Sequence, residues 1–243
     1  MNTKRLFRLA SVVGIGFALS ACSSSSDDPV VSVDTDLVFE ITVTNLSANQ
    51  PMSPAVVALH QDSYQAFETG ASASVALEEL AEGGDNSALL ASLASSDQVL
   101  TEVGGAGAIA PGGSELFELS ADDNALGTLS LSVLSMLVNT NDAVVAVNSQ
   151  SLASMAVNET QTFYALSYDA GTEANTETAD TIPGPAAAGG AREGFNATRD
   201  DIRDEISVHA GVVTQDDGLS TSVLTQADRW DHPSVLVSVV RVD

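Results

Sequence analysis

Residues 39–46 (Phe39-Glu40-Ile41-Thr42-Val43-Thr44-Asn45-Leu46) alternate apolar and polar side chains and are rich in β-branched types. A period of two with one apolar face predicts a half-buried strand. Gln50-Pro51-Met52-Ser53-Pro54 interrupts it, and residues 55–60 predict a second short strand. Over residues 62–95 the period changes. Alanine, leucine and glutamate dominate, and apolar positions recur every three or four residues. Ser72 or Ser74 is placed to cap a helix running through Ala81 that Gly83-Gly84 ends, and Asp85 to cap a second through Leu93. Strand-like residues return at 98–103, before a glycine-rich loop over 104–113. Further strands are predicted at 116–119, 128–138, 143–147, 161–168, 206–213 and 235–242, with a loop rich in glycine, alanine and proline over 172–194. Many short strands around one short helical insertion predict a mainly β fold, a two-layer antiparallel β-sandwich or the same strands closed as a barrel.

The amino-terminal residues follow another logic. Lys4, Arg5 and Arg8 precede an apolar run over residues 9–17, and Leu19-Ser20-Ala21-Cys22 leads into four serines. A basic start, a short apolar run and a small-residue cleavage site predict a secretory signal peptide over residues 1–21. The run is too short for a permanent membrane span. The pattern resembles the lipobox of bacterial lipoproteins, in which Cys22 is lipidated and becomes the new amino terminus. Residues 22–36 then read as a flexible tether and residues 37–243 as one domain, long enough for a sizeable core. The expected location is the cell envelope, with the chain anchored to the outer membrane through its lipid and facing the periplasm or the outside. Cys22 is the only cysteine, so no internal disulfide is available to the mature chain.

Charge narrows the list of partners. The chain carries 8 basic and 33 acidic residues, a net −25. Removing the leader takes three basic residues and no acid, leaving five arginines against 33 acids, a net −28. Such a surface repels nucleic acid and attracts cations.

Few residues offer catalytic chemistry. His60, His209 and His232 are scattered, with no H-x-x-x-H pair, no G-x-S-x-G elbow and no phosphate-binding glycine loop. Zinc is disfavoured by the lack of cysteine ligands. Calcium, which takes six to eight oxygen ligands, is better served at two turns: Asn139-Thr140-Asn141-Asp142, and Tyr168-Asp169-Ala170-Gly171-Thr172-Glu173. Asparagine and aspartate are also favoured in turns because they bond their own backbone. Trp230 is expected to pack beneath the last strand, and His209 to be structural.

Taken in order, several segments carry a resemblance. They are residues 39–46 with Gln50-Pro51-Met52-Ser53-Pro54, residues 129–136, and Val138-Asn139-Thr140-Asn141-Asp142-Ala143. They continue with Tyr168-Asp169-Ala170-Gly171-Thr172-Glu173-Ala174-Asn175-Thr176-Glu177, Ile182-Pro183-Gly184-Pro185, Glu193-Gly194-Phe195, Val208-His209-Ala210-Gly211, and Trp230 with Pro233. Together they resemble the spondin domain, most closely its bacterial single-domain lipoprotein form. The resemblance implies a β-sandwich similar to the calcium-and-lipid-binding sandwich domains. It also implies a non-catalytic binding or adhesion module with an extracellular or envelope protein or polysaccharide ligand. It implies a calcium site built by Asp142, Asp169 and a glutamate on an earlier strand, for which Glu118 is the best match and Glu115 the alternative, with Glu173 as a further donor. Insertions relative to the family pattern fall at residues 121–127 and 196–205; the second reads as a solvated, partly helical loop. The rival readings are a structural envelope lipoprotein without a specific ligand and a hydrolase of envelope polymers.

Overall fold

The computed structural model describes residues 36–187, 194–198 and 203–243. The leader, Cys22 and all of the tether but its last residue lie outside the described residues, as does the middle of the 196–205 insertion.

Nine strands and two short α-helices are present among the described residues: β1 (Asp36–Asn45), β2 (Val56–Gln61), α1 (Val75–Gly83), α2 (Ser87–Ala94), β3 (Val99–Gly104), β4 (Ser114–Asp122), β5 (Leu129–Met136), β6 (Ala143–Ser151), β7 (Thr160–Asp169), β8 (Ser207–Val208) and β9 (Val235–Arg241). The order is β3-β2-β5-β6-β7-β9-β1-β4, with β8 paired to β7, and every pairing is antiparallel. Strand β7 is the corner. Its residues 160–165 pair with β9, and its last four with β6. The chain therefore folds as two layers that share one strand. The free edges β3 and β4 approach each other, and the Thr101 hydroxyl donates to the Ser120 carbonyl at 2.5 Å. The result is a sandwich that is nearly a closed barrel.

The predicted alternation sets the layers. Phe39, Ile41 and Val43 of β1 face inward with Phe117 and Leu119 of β4 and Val235, Val237 and Val239 of β9. Across the core they meet Val57 and Leu59 of β2, Leu131 and Val133 of β5, and Val145 and Val147 of β6. Strand β5 is buried at every position because α1 and α2 cover its other face. Leu77, Leu80, Leu89 and Leu93 pack there on Val56, Ala58, Leu134 and Val144. The Ser74 hydroxyl accepts from the Leu77 N–H and caps α1. Helix α2 starts at Ser87, whose N–H donates to Asp85 Oδ1 at 2.8 Å.

One expectation changes. The strand predicted over 206–213 shrinks to the two residues of β8. His209 N–H still reaches the Ser167 carbonyl, but Gly211, at φ +94°, turns the chain away from the sheet. The 121–127 insertion opens a 3-10 helix over Asp123–Thr128. The loop after β7 is not a surface loop throughout. Ile182 packs with Ala187, Val212 and Leu224 in a small satellite core.

Candidate functional site

One end of the sandwich gathers the β5–β6 turn, the loop after β7, and the segments flanking β8 and preceding β9. The β5–β6 turn, Asn139-Thr140-Asn141-Asp142, joins two buried strands, so it is buried as well; all four residues are at most 2% exposed. Buried polar side chains must find partners, and each of these finds a different one. Asn139 Oδ1 accepts from the Ala186 N–H at 2.9 Å, and its amide donates to the Asn49 carbonyl. Thr140 closes the turn by donating to the Leu137 carbonyl and accepting from the Ala143 N–H. Asn141 Oδ1 accepts from the Glu177 N–H. Asp142 Oδ2 accepts from the Thr172 N–H at 2.9 Å, the Thr172 hydroxyl at 3.3 Å and the Glu173 N–H at 3.2 Å. The turn thus ties down three stretches of irregular backbone.

Asp169 lies directly beside it, since its register partner across the β6–β7 ladder is Ala143. Asp169 Oδ1 accepts from the Gly171 N–H and Oδ2 from the Asn175 amide at 2.7 Å. Gly171 is required here for two reasons: its φ is +68°, and a Cβ would lie 2.6 Å from the Glu205 carbonyl oxygen. Glu173 and Glu177 are buried close by. Glu177 Oε1 accepts from the Val213 N–H, whereas its Oε2 is buried without a hydrogen-bond partner. On the other side of Asp169, His209 is buried, accepts from the Gly211 N–H through Nδ1, and stacks obliquely on Trp230 at 5.2 Å between ring centres. Burial pushes the His209 imidazole below its usual range; the Asp169 charge opposes this and His232 adds to it. The Trp230 indole N–H donates to Ser167 Oγ at 3.0 Å.

A family model for the spondin N-terminal domain matches residues 46–185, more than half of the chain, and spans both acidic turns. The chain belongs to this family. No curated protein matches the chain. Membership points to an extracellular binding or adhesion-type module, and the nearly closed antiparallel sandwich is the fold the resemblance implied.

Within this spondin domain, the expected ligand set separates. Asp142 and Asp169 come together, and Glu173 is next to them in the same loop. Glu118 does not join them. It lies on the exposed face of β4, and its register runs through Glu40 and Val240 to Thr160, at the far end of β7. Asp169 is nine residues further along that strand, about 30 Å at the usual rise per residue. Glu115 is not there either, since its carboxylate accepts from the Ala106 N–H at 2.7 Å. Among the described residues no three acidic or histidine side chains converge as a preformed metal centre. The donors that do gather are carboxylate oxygens, including the unpartnered Oε2 of Glu177. That chemistry fits a hard cation held by few carboxylates and completed by backbone carbonyls and water.

The composition gave no signal for Glu177, although it closes the matched Tyr168–Glu177 motif, nor for the pairing of His60. His60 Nε2 lies 2.8 Å from Ser132 Oγ, but both residues are fully buried and Ser132 Oγ also accepts from the Ser149 N–H. Their role is to hold β2 to β5. Trp230 packs on both the main and the satellite core, as expected, yet also lines an open cleft.

Glu177 makes spondin-domain stability pH-dependent. Burial pushes its carboxyl up to about 7; the Val213 N–H pulls it down, and the Asp169 charge adds to the rise. The folded state therefore holds this proton over a pH range in which the unfolded chain has lost it. The stabilisation is complete below the ordinary value of 4.5 and declines as pH rises through the folded value near 7. The loss amounts to roughly 3 kcal/mol. Urea denaturation in chelator should show the wild type losing stability relative to Glu177→Gln between these limits. Parallel pH profiles for the two proteins would refute the assignment.

Proposed function

We propose that this chain is a non-catalytic binding and adhesion module of the cell envelope, tethered by a lipid on Cys22 and strengthened by calcium at Asp142 and Asp169. One observation carries the calcium part. The two residues that the family resemblance pairs are 27 positions apart in the chain, yet Asp169 pairs across the β6–β7 ladder with Ala143, the chain neighbour of Asp142. Calcium bound there would clamp the β5–β6 turn to the loop after β7, with Glu173 or Glu177 as a further oxygen donor. The cation would contribute rigidity to the loop end rather than reaction chemistry. The leader pattern supports the anchor, placing the domain at the outer membrane on its periplasmic or outer side. None of the described helices is long and apolar enough to cross a membrane. The acidic surface argues against nucleic acid and suits a protein or polysaccharide ligand.

Thermal unfolding tests the calcium site. A ligand at 100 times its dissociation constant adds about 2.7 kcal/mol, which is about 5–10 °C for a domain of this size. Millimolar calcium should raise the wild-type Tm by that amount and leave Asp169→Asn unmoved. One observation favours a second reading, a structural envelope lipoprotein without a specific ligand: the hydrogen bonds to Asp142 and Asp169 already hold both loops. Equal melting of wild type and variant in calcium and in chelator would select that reading.

A further inference from the structure

Next to the acidic turns, residues 46–48, 210–211, 226 and 229–233 surround a cleft of about 640 Å³. We propose that this cleft binds a neutral saccharide, with Trp230 as its platform. The inference rests on reading the chain as a binding module and names the ligand class that module takes.

The ring is fixed in advance. Its N–H is held by Ser167 Oγ, which also lies 2.9 Å from Ser234 Oγ, and His209 packs against it. A rigid aromatic wall of this kind suits the apolar C–H face of a pyranose and costs little entropy when a ligand arrives. Opposite walls are small or bare. Ala48 and Ala210 line the space, and a Cβ added to Gly211 would meet nothing within 4 Å. The lining supplies hydrogen-bonding groups in Asp231, His232 and the side-chain carbonyl of Gln226, whose amide N–H group is engaged by Thr214 and Asp217, as a polyhydroxylated ligand requires.

Charge decides against the other small ligands. The one arginine in the cleft, Arg229, is spent on Asp217, with Nη1 at 2.9 and 3.1 Å from its two oxygens. Asp231 and the net −25 of the chain repel an anion. A cation would meet only one tryptophan ring, where cation recognition favours a cage of several. A ligand without charge meets neither penalty.

Trp230 is the only tryptophan in the chain, so tryptophan fluorescence reports on the residue that forms the cleft wall. The trimers of glucose (maltotriose and cellotriose), of N-acetylglucosamine and of mannose are titrated into the full chain, with trigalacturonate as the anionic control. At least one neutral trimer should give a saturable change with a Kd below 10 mM (order of magnitude for a single small site). Asp231→Ala should weaken it about tenfold. Ala210→Leu, which fills the cleft from an exposed position, should abolish it while leaving Tm unchanged. Absence of a saturable signal with every neutral trimer, unchanged binding in Ala210→Leu, or equal binding of trigalacturonate would overturn the proposal. Retention on isolated cell envelopes is measured in parallel. If wild type and Ala210→Leu are retained equally and no trimer binds, the cleft inference fails and the binding module stands. If neither protein is retained and no trimer binds, both fail.

Discussion

Asp142→Ala is expected to lower the stability of the domain by roughly 3–5 kcal/mol, the usual effect of removing one side of a buried charged interaction. Asp142 is fully buried, and its Oδ2 accepts from the N–H groups of Thr172 and Glu173 and from the Thr172 hydroxyl. Alanine leaves those donors buried beside a space the size of a carboxylate. Hydrogen bonds to an ionised acceptor are about twice as strong as neutral ones, so the loss exceeds that of an ordinary turn residue. Asp142→Asn retains one acceptor oxygen in nearly the same volume and should cost about half as much. Urea denaturation in chelator isolates the hydrogen-bond contribution from any calcium effect. A loss under 1 kcal/mol for the alanine variant would mean that the loop after β7 is held by something else.

Gly184→Ala should be comparably damaging, about 4 kcal/mol, by a steric route. Gly184 is the glycine of the Ile-Pro-Gly-Pro segment. A Cβ there would sit far inside contact distance of the Val138 carbonyl and of Asn139 Oδ1. Backbone cannot move aside as the tip of a flexible side chain can. Asn139 would also have to release the Ala186 N–H that it accepts. The satellite core of Ile182, Ala187, Val212 and Leu224 should loosen first, and amide exchange in residues 182–187 should accelerate more than exchange in β5. Gly194→Ala, where an added Cβ meets nothing within 4 Å, is the matched control. Similar stabilities for the two variants would show that the close approach at Gly184 is not maintained in solution.

The two substitutions act on one design. The β5–β6 turn is buried because both its strands are buried, and the long loop after β7 can cross the end of the sandwich only where that turn supplies donors and acceptors. A run of asparagine, threonine and aspartate is legible in the sequence as a turn. It is also legible, through the family resemblance, as half of a cation site. The same composition does not reveal that each side chain serves a different loop. The hydrogen bonds of Asp142 run to residues 30 and 31 positions away, and local pattern carries no information at that range.

What the sequence by itself determined is local. Alternation in residues 39–46 and 235–242 produced β1 and β9, Ser74 capped α1, and the Asp-Ala-Gly-Thr turn required its glycine, because dihedral preference, capping and side-chain period act over a few residues. Tertiary structure decided the rest. Register carried across β4, β1, β9 and β7 set Glu118 at the opposite end from Asp169, and packing of the loops buried Glu177 and His209 and opened the cleft beside Trp230. Those outcomes depend on contacts between residues far apart in the chain, whose geometry exists only once both layers have closed over one core.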